Sequence, residues 1–243
     1  MKKSGIRFWL IACLLSSVAT NSIAQAQDTS RFDIKEYSFL LPLPKSAWKY
    51  SHAIYVQWVV PPKDWTLDAV TAPMFNYTGK YTLPKNFNVQ AGLSSLIISN
   101  RLNLGPFWNY STGNFHFAAG YQIAYNFGWL LGFGFNTTLT GWEGQPSLTA
   151  GYSFEKTSVV IRGDLYSTLD ISLTEGGNTI SANERFLNGY SVTLSYEQRL
   201  TRKRTMSLGF KINYLRYHII AWPALPASKY RYFMPEFQIG LNF

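Results

Sequence analysis

Charged residues, cysteine and histidine are all scarce in this chain. Only 14% of its 243 residues are Asp, Glu, Lys or Arg, whereas soluble domains usually carry about 25%. The single cysteine and three histidines exclude a disulfide-rich scaffold and a zinc site made of clustered Cys and His. Beyond the N-terminus no segment has the run of about 18 apolar residues that a membrane-spanning helix needs. Hydrophobic residues still make up 47% of the chain, which excludes wholesale disorder.

The N-terminus has the three parts of a secretory signal peptide. Three basic residues precede an apolar run from Phe8 to Val18, and small residues follow at alternate positions. We predict cleavage after Ala26, with cleavage after Ala24 as the alternative. Because the only cysteine, Cys13, lies in this segment, the mature chain would form no disulfide.

A lipoprotein signal is the other interpretation of the same segment. Residues 10–13, Leu-Ile-Ala-Cys, resemble the lipobox in which the cysteine becomes lipidated. That cut would leave only residues 8–12 as the apolar run and would strand residues 14–18 in the mature protein. We therefore favour the secretory signal over lipidation of Cys13.

Apolar and polar residues alternate along most of the mature chain, which is the period of a β-strand. From Phe115 to Phe127 every second residue is apolar or aromatic, and the alternation recurs at 190–197 and 206–214. The polar positions hold mostly Gly, Ser, Thr, Ala, Asn and Gln, which suit a crowded interior better than a face in bulk water. The chain also has 17 Phe, 16 Tyr and 8 Trp, as expected for aromatic girdles at membrane interfaces.

These patterns predict an all-β fold, a transmembrane antiparallel up-and-down β-barrel over residues 50–243. We expect about ten strands, within a range of about eight to twelve, with both termini on the periplasmic side. The connections are predicted to alternate between tight turns, as at 126–128, and long loops, as at 105–113 and 141–145. The predicted strands are 51–60, 72–83, 86–104, 114–126, 129–140, 146–154, 157–173, 187–200, 204–219 and 229–243.

Two features disturb the alternation. Pro235 lies inside the last predicted strand and cannot donate to a ladder, so we expect a bulge or distortion there. Between Asn88 and Leu104 the apolar positions change phase. Either a bulge in one long strand or two strands taken for one would produce that change.

The C-terminus carries a recognisable pattern. Phe237, Ile239, Leu241 and Phe243 share one parity, and the chain stops on the aromatic residue. This resembles the C-terminal Phe assembly signal of barrels in Gram-negative outer membranes, and the mature chain is similar in architecture to the family of small bacterial outer-membrane β-barrel proteins. The resemblance implies insertion by the barrel assembly machinery, location in the cell outer membrane, and contact with its lipid and lipopolysaccharide.

Ten strands predict a largely filled lumen, since open aqueous channels appear only in much wider barrels. Parity directs eight charged side chains inward, where they would form an internal polar network. The sharper hypothesis is a narrow polar path or a site for a small solute, so the protein would act as a structural protein or a narrow channel or transporter. The eight residues are Lys80, Arg162, Asp164, Asp170, Glu197, Arg199, Lys211 and Glu236.

We expect no enzymatic activity, no cofactor and no metal site. Among the three histidines, His116 has lumenal parity and His218 is expected at an outer interface, and none of them begins a His-x-Ser pair. An outer-membrane enzyme acting on lipid or peptide is the first alternative. A soluble periplasmic β-protein is the second.

The remaining features lie outside the predicted strands. Trp65, Trp108, Tyr110 and Trp222 are candidate contacts of the extracellular loops, and residues 27–49 are expected to form a periplasmic arm or to tuck into the barrel. Removing residues 1–26 lowers the net charge from +9 to +6. Because that charge is spread along the sequence, we expect no nucleic-acid partner.

We predict that the protein is recovered in the outer-membrane fraction and migrates differently on SDS gels before and after boiling. A closed barrel has its backbone hydrogen bonds satisfied internally, so it should resist SDS until it is heated. A mature polypeptide that is monomeric and folded in buffer without detergent would contradict the membrane assignment.

Overall fold

The computed structural model describes residues 33–44, 49–60, 73–132, 135–181, 185–201, 204–218 and 230–243. The predicted signal peptide, including Cys13, lies outside this part of the chain. The described residues form one short helix and eleven strands. Their bounds are α1 (Ile34–Tyr37), β1 (Tyr50–Val59), β2 (Pro73–Thr82), β3 (Phe87–Ser95), β4 (Ser99–Thr112), β5 (Phe115–Gly132), β6 (Phe135–Ser153), β7 (Thr157–Glu175), β8 (Asn178–Ser181), β9 (Phe186–Arg199), β10 (Thr205–Leu215) and β11 (Tyr232–Asn242).

Ten of these strands close into an antiparallel barrel, so the predicted fold and strand number are confirmed. Each barrel strand pairs with its neighbours along the chain, and β1 pairs with β11 to complete the ring. Strand β8 pairs only with the end of β7. At the seam the backbone of Phe243 exchanges hydrogen bonds of 2.8 and 2.7 Å with His52. Closure removes the exposed sheet edge, which a sheet in lipid could not tolerate.

The predicted strand 86–104 is in fact two strands, β3 and β4. They are joined by a turn at residues 96–98, in which Ile97 has a φ of 71° and its N–H donates to Ser95 Oγ at 3.2 Å. The sequence Leu-Ile-Ile contains no Gly, Pro, Asn or Asp, the residues that usually mark turns. No residue type therefore marked this turn in the sequence. The change of phase of the apolar positions between Asn88 and Leu104 is the only sequence signal of it.

Two predicted connections lie inside long strands instead. Residues 126–128 belong to β5, and residues 141–145 belong to β6. A Cβ on Gly128 would lie 2.9 Å from the carbonyl oxygen of Ile98, and one on Gly141 would lie 2.8 Å from that of Asp170. These glycines permit close strand contacts rather than turns. The predicted strand 129–140 in turn contains the connection between β5 and β6. Two false connections are thus offset by two missed ones, which is why ten strands were still counted.

The predicted alternation of tight and long connections was also only partly right. We name the end of the barrel where β1 begins and β11 ends the terminal end, and the opposite end the loop end. At the loop end, β3 connects to β4 and β5 to β6 through two or three residues. Most of the predicted loop 105–113 lies in β4, and the connection to β5 is a two-residue turn, Gly113-Asn114, at the terminal end.

Pro235 causes no bulge, contrary to the prediction. Its pairing with Ile212 of β10 is in register with every neighbouring pair. Its carbonyl accepts from the N–H of Val60 at 3.1 Å, so its backbone polar groups face the β1 side of the strand, just where β1 ends. A missing N–H on that side costs no hydrogen bond to β10.

The two faces of the barrel wall differ as the parity predicted. Along β9, Leu194 is 52% exposed on the outer face and Ser195 is 5% exposed in the lumen. On β6 the outer apolar belt runs from Trp142 to Tyr152. At about 3.4 Å per residue and a tilt of about 40° this is about 26 Å, close to the apolar band of about 25 Å on outer-membrane barrels.

Leu194→Arg should reduce the free energy of unfolding by about 2–4 kcal/mol, because it places a charge near the middle of the lipid-facing belt. Ser195→Arg should also destabilise the barrel, but through overcrowding of the lumen. Urea unfolding in lipid vesicles measures both, with Glu175→Arg, at the exposed last residue of β7, as the control. Equal tolerance of Leu194→Arg and the control would contradict the assignment of the lipid face.

Candidate functional site in the barrel lumen

A cavity of about 260 Å³ lies in the middle of the lumen. Side chains from all ten barrel strands line it, and residues 39–42 of the N-terminal segment border it. Most of the lining strand residues are polar, with amide and hydroxyl groups between the charged ones. Two features determine what this cavity can do, namely the N-terminal segment and the ion pairs of the wall.

The N-terminal segment, residues 33–44, lies inside the terminal end of the barrel. Asp33 caps α1 by accepting from the N–H of Lys35 at 2.9 Å, and Lys35 Nζ donates to Asn114 Oδ1 at 2.7 Å. The N–H of Ile34 donates to the carbonyl of Glu155 at 3.3 Å. Of the two placements considered for residues 27–49, these contacts favour the lumen for 33–44 rather than a periplasmic arm.

Glu197 is the anchor of this segment. Its carboxylate is fully buried, and it accepts from the hydroxyl of Ser38 and from the N–H groups of Phe39 and Leu40, at 3.0 and 3.3 Å for the latter two. From the barrel wall, Asn242 Nδ2 donates to it at 2.8 Å. A buried carboxylate with this many donors needs no cation in direct contact.

Apolar contacts and one lysine hold the rest of the segment. Leu41 and Leu43 are buried and pack against Val160 of β7. Lys80 Nζ donates to the carbonyl of Phe39 at 2.7 Å and lies 5.1 Å from the centre of its ring. The segment therefore fills the terminal end of the lumen with both polar and apolar contacts.

Arg162 and Asp164 form the first ion pair of the wall, and both were predicted from parity. Arg162 Nε lies 2.8 Å from Asp164 Oδ1. The carboxylate also accepts from Gln145 Nε2 at 2.9 Å and from Ser147 Oγ at 2.6 Å, while the guanidinium donates to Gln122 Oε1 at 3.0 Å. The pair thus braces three strands, β5, β6 and β7.

Arg101 and Glu143 form a second pair that the sequence reasoning missed. Their closest atoms are 2.6 Å apart, and Arg101 also donates to Gln145 Oε1 at 2.6 Å. Glu143 was not predicted to face the lumen because residues 141–145 were predicted to be a loop. Arg101 was not predicted to do so because the turn between β3 and β4 was not recognised. Correct strand boundaries would have placed both side chains in the lumen.

The third group surrounds Glu236, which is 1% exposed. Lys211 Nζ lies 3.5 Å from one carboxylate oxygen, His218 Nε2 lies 2.8 Å from the other, and Gln57 Nε2 also donates to the carboxylate. Lys211 and Glu236 were both predicted to face the lumen, but not to pair with each other. His218 was expected at an outer interface, but it is buried because the end of β10 turns its side chain toward Glu236.

Asp170 does not face the lumen, contrary to the prediction. Strand β7 has a bulge where its register with β6 shifts, and Asp170 pairs with the lipid-face residue Trp142. The extra residue reverses the parity, so Ile171 and Leu173 are buried instead. Arg199 donates to the carbonyl of Thr201 in the β9–β10 turn at 3.2 Å, which places it at the rim rather than among the three ion pairs.

His116 is buried in the lumen, as its parity predicted, between two serines. Its Nδ1 is 2.7 Å from Ser111 Oγ and its Nε2 is 3.0 Å from Ser153 Oγ, which is also 3.4 Å from the carbonyl of Asn114. One tautomer satisfies this set, with Ser111 donating to Nδ1 and Nε2–H donating to Ser153. Both ring nitrogens are therefore hydrogen-bonded to serines, and no carboxylate in the described part of the chain is hydrogen-bonded to the ring as in a catalytic triad.

Of the four candidate loop contacts, Trp65 and Trp222 lie outside the described residues. Trp108 and Tyr110 are not in a loop but on the outer face of β4, near the terminal end, with their rings stacked at 6.1 Å. They were misplaced because β4 continues through the predicted loop. Their position is that of an interfacial girdle rather than of an extracellular contact.

The four residues of the predicted assembly signal lie along the seam. Phe237, Ile239 and Leu241 are exposed on the outer face, at 55%, 42% and 44%. Phe243 ends the chain with its ring 4.3 Å from that of His52. Their recognition by an assembly machinery stays a prediction.

No helix in the described part of the chain is both long and apolar enough to span a membrane. No family model matches the sequence, and no curated protein does. Among solved structures, neisserial surface protein A is similar with a TM-score of 0.41, 13% identity, and coverage of 80% of this chain and 96% of that one. The translocator domain of the autotransporter NalP from Neisseria meningitidis is similar with a TM-score of 0.40 and 11% identity, over 80% of this chain and 87% of that one. The toluene transporter TodX from Pseudomonas putida is similar with a TM-score of 0.37 and 10% identity, over 88% of this chain and 98% of that one.

The barrel's own geometry identifies the kind of protein. A closed antiparallel wall, an apolar outer belt about as thick as a bilayer core and a polar interior are the features of an outer-membrane β-barrel protein.

A disulfide should report the position of the N-terminal segment. Because Ile34 and Glu155 share a backbone hydrogen bond, the pair Ile34→Cys with Glu155→Cys should cross-link in the folded protein, in a Cys13→Ser background. Ile34→Cys with Glu175→Cys, at the loop end, is the matched control and should not. Gel mobility with and without reductant measures the bond, and equal cross-linking of the two pairs would contradict the placement.

Proposed function

We propose that this outer-membrane barrel is a narrow passage for small polar solutes, closed at rest by its own residues 33–44. The observation that carries the proposal is a polar cavity whose terminal end is filled by a segment anchored on Glu197. Wall side chains just fill the lumen of an eight-stranded barrel, so ten strands leave room for a separate segment and for the cavity beside it.

The closed state is supported by the contacts of the segment. The carboxylate of Glu197 accepts from Ser38, Phe39 and Leu40, and hydrogen bonds to a charged acceptor contribute about 1.5–3 kcal/mol each. Burial of Leu41 and Leu43 adds to this. The resting protein should therefore conduct rarely.

An open state is compatible with the topology. The ring of strands is closed by β1 and β11, and β1 begins at Tyr50, after the segment. Residues 33–44 can thus leave the lumen without breaking any strand pairing. The motion would exchange the donors of Glu197 for water while the wall stays intact.

A structural role without passage is the second candidate, and the charged network that links strands of the wall supports it. Arg101 reaches from β4 to β6, and Arg162 from β7 to β5, so the network could serve only to brace the wall. We propose no catalytic role, because His116 is 2% exposed and neither it nor its two serine partners line the cavity.

Conductance in planar bilayers tests the proposal. Glu197→Gln keeps the shape of the side chain but removes its charge, so the open-to-closed ratio should rise about ten- to a hundredfold over wild type. Glu175→Gln, an exposed residue at the loop end, is the matched control and should behave as wild type.

The cross-linked pair Ile34→Cys with Glu155→Cys gives the reverse result. It should stay silent when oxidised and open at the wild-type frequency after reduction. Folded Glu197→Gln protein that is as silent as wild type, with unchanged heat-modifiable migration, would contradict the passage and favour the structural role.

A further inference from the structure

We propose that the lumen cavity is a site for small anions bearing a carboxylate or phosphate group, bound at a cationic face around Lys211, Arg101 and Arg162. This rests on the proposed passage for the physiological role but not for the binding itself. It follows from which charged groups face the cavity and which hydrogen-bonding capacity they have left.

Cations face the cavity more than carboxylates do. Lys80, Arg101, Arg162 and Lys211 all line it, whereas only two of the four network carboxylates, Glu143 and Asp164, do so. Glu197 lies behind the N-terminal segment that it holds. Glu236 lies behind Lys211, with 0% of its side chain exposed against 19% for the lysine. A solute in the cavity therefore meets the positive end of these pairs.

The two carboxylates that line the cavity are each paired with an arginine, Glu143 with Arg101 at 2.6 Å and Asp164 with Arg162 at 2.8 Å. Asp164 accepts from Arg162, Gln145, Ser147 and, at 3.4 Å, Ser191. A carboxylate has about four lone-pair positions; those of Oδ1 are used by the wall, and Oδ2 receives the long contact from Ser191. The charge of each carboxylate is therefore already balanced by a cation of the wall.

Glu236 is occupied in the same way. Lys211, His218 and Gln57 surround its two oxygens. Being fully buried, it has no free side from which to attract a cation out of the cavity. A carboxylate in this state neutralises its neighbours without presenting charge to a solute.

The cations keep donors to spare. An arginine has five N–H donors, and Arg101 uses two of them, on Glu143 and Gln145. A lysine has three, and the only ion pair of Lys211 among the described residues is the long one to Glu236 at 3.5 Å. Spare charged donors around a cavity are what a carboxylate or phosphate group binds.

These cations also converge. Arg101, from β4, and Lys211, from β10, each lie 5.6 Å from the ring centre of Tyr166. Lys211 is paired with Thr193, and Thr193 with Arg162, so the two cationic residues sit on one rung, two strands or about 10 Å apart. The Thr193 hydroxyl lies on the cavity lining between them, and a small anion could contact all three residues.

A paired substitution tests this without changing the net charge. Lys211→Met with Glu236→Gln removes one cation that faces the cavity and the buried carboxylate behind it, which avoids leaving that carboxylate unpaired. If the exposed cation determines binding, affinity should fall; if only the overall charge matters, it should not change. Lys156→Met, at the exposed β6–β7 turn, is the control.

The first measurement needs no conduction. Inorganic phosphate or acetate should raise the urea midpoint of the detergent-folded wild-type protein, because a ligand that binds only the folded state stabilises it. The response should require about tenfold more anion in the Lys211→Met, Glu236→Gln variant and be unchanged in Lys156→Met. A response to only one of the two anions identifies the group recognised.

The second measurement uses the conducting Glu197→Gln protein in a KCl gradient. Its reversal potential should show preference for chloride, as expected where lysine and arginine line a pore, and the preference should weaken in the Lys211→Met, Glu236→Gln background. Stabilisation by anions in a protein that never conducts would support the site and contradict the passage. Absence of stabilisation, or conductance without anion preference, would overturn the anion site.

Discussion

Strand β1 meets strand β11 along a continuous run of antiparallel pairs, from Ala53 opposite Asn242 to Val59 opposite Glu236. In a bilayer core no water is available to backbone groups, so an unpaired edge would cost several kcal/mol for each exposed N–H or C=O. This seam lets the outer face carry apolar side chains into lipid. It also explains why polar groups are confined to the lumen, where they must satisfy one another.

The pairing of charged groups inside the lumen follows from that confinement. Arg101, Arg162 and Lys211 are neutralised by carboxylates that lie 2.6 to 3.5 Å away, because a buried charge without a partner would be costly. The N-terminal segment obeys the same rule, since its free N–H groups find Glu197. What remains is a cavity lined by Lys80, Arg101, Arg162 and Lys211 but by only two of the four network carboxylates, and the proposed anion selectivity rests on this asymmetry.

Much of the fold was readable from the residues, and the failures have identifiable physical causes. Alternation found the strands because one face of each meets lipid, and this held for both Leu194 and Ser195. The prediction of strand boundaries failed where a turn lacked the residues that usually form turns, as at Ile97. It also failed where a glycine allows two strands to approach closely instead of forming a turn, as at Gly128. Parity failed beyond a bulge, where one extra residue in β7 sent Asp170 to the outer face.

The sequence by itself determined the architecture and most of the inward-facing charges. The reason is that one face of each strand contacts lipid and the other the lumen, so apolar and polar residues alternate within every strand. Only the tertiary structure decided the partners, since these depend on register between strands far apart in the chain. Arg101 meets Glu143, and Gln57 meets Glu236, across such distances. The position of residues 33–44 was decided in the same way, because a buried carboxylate on β9 and not any local pattern holds them.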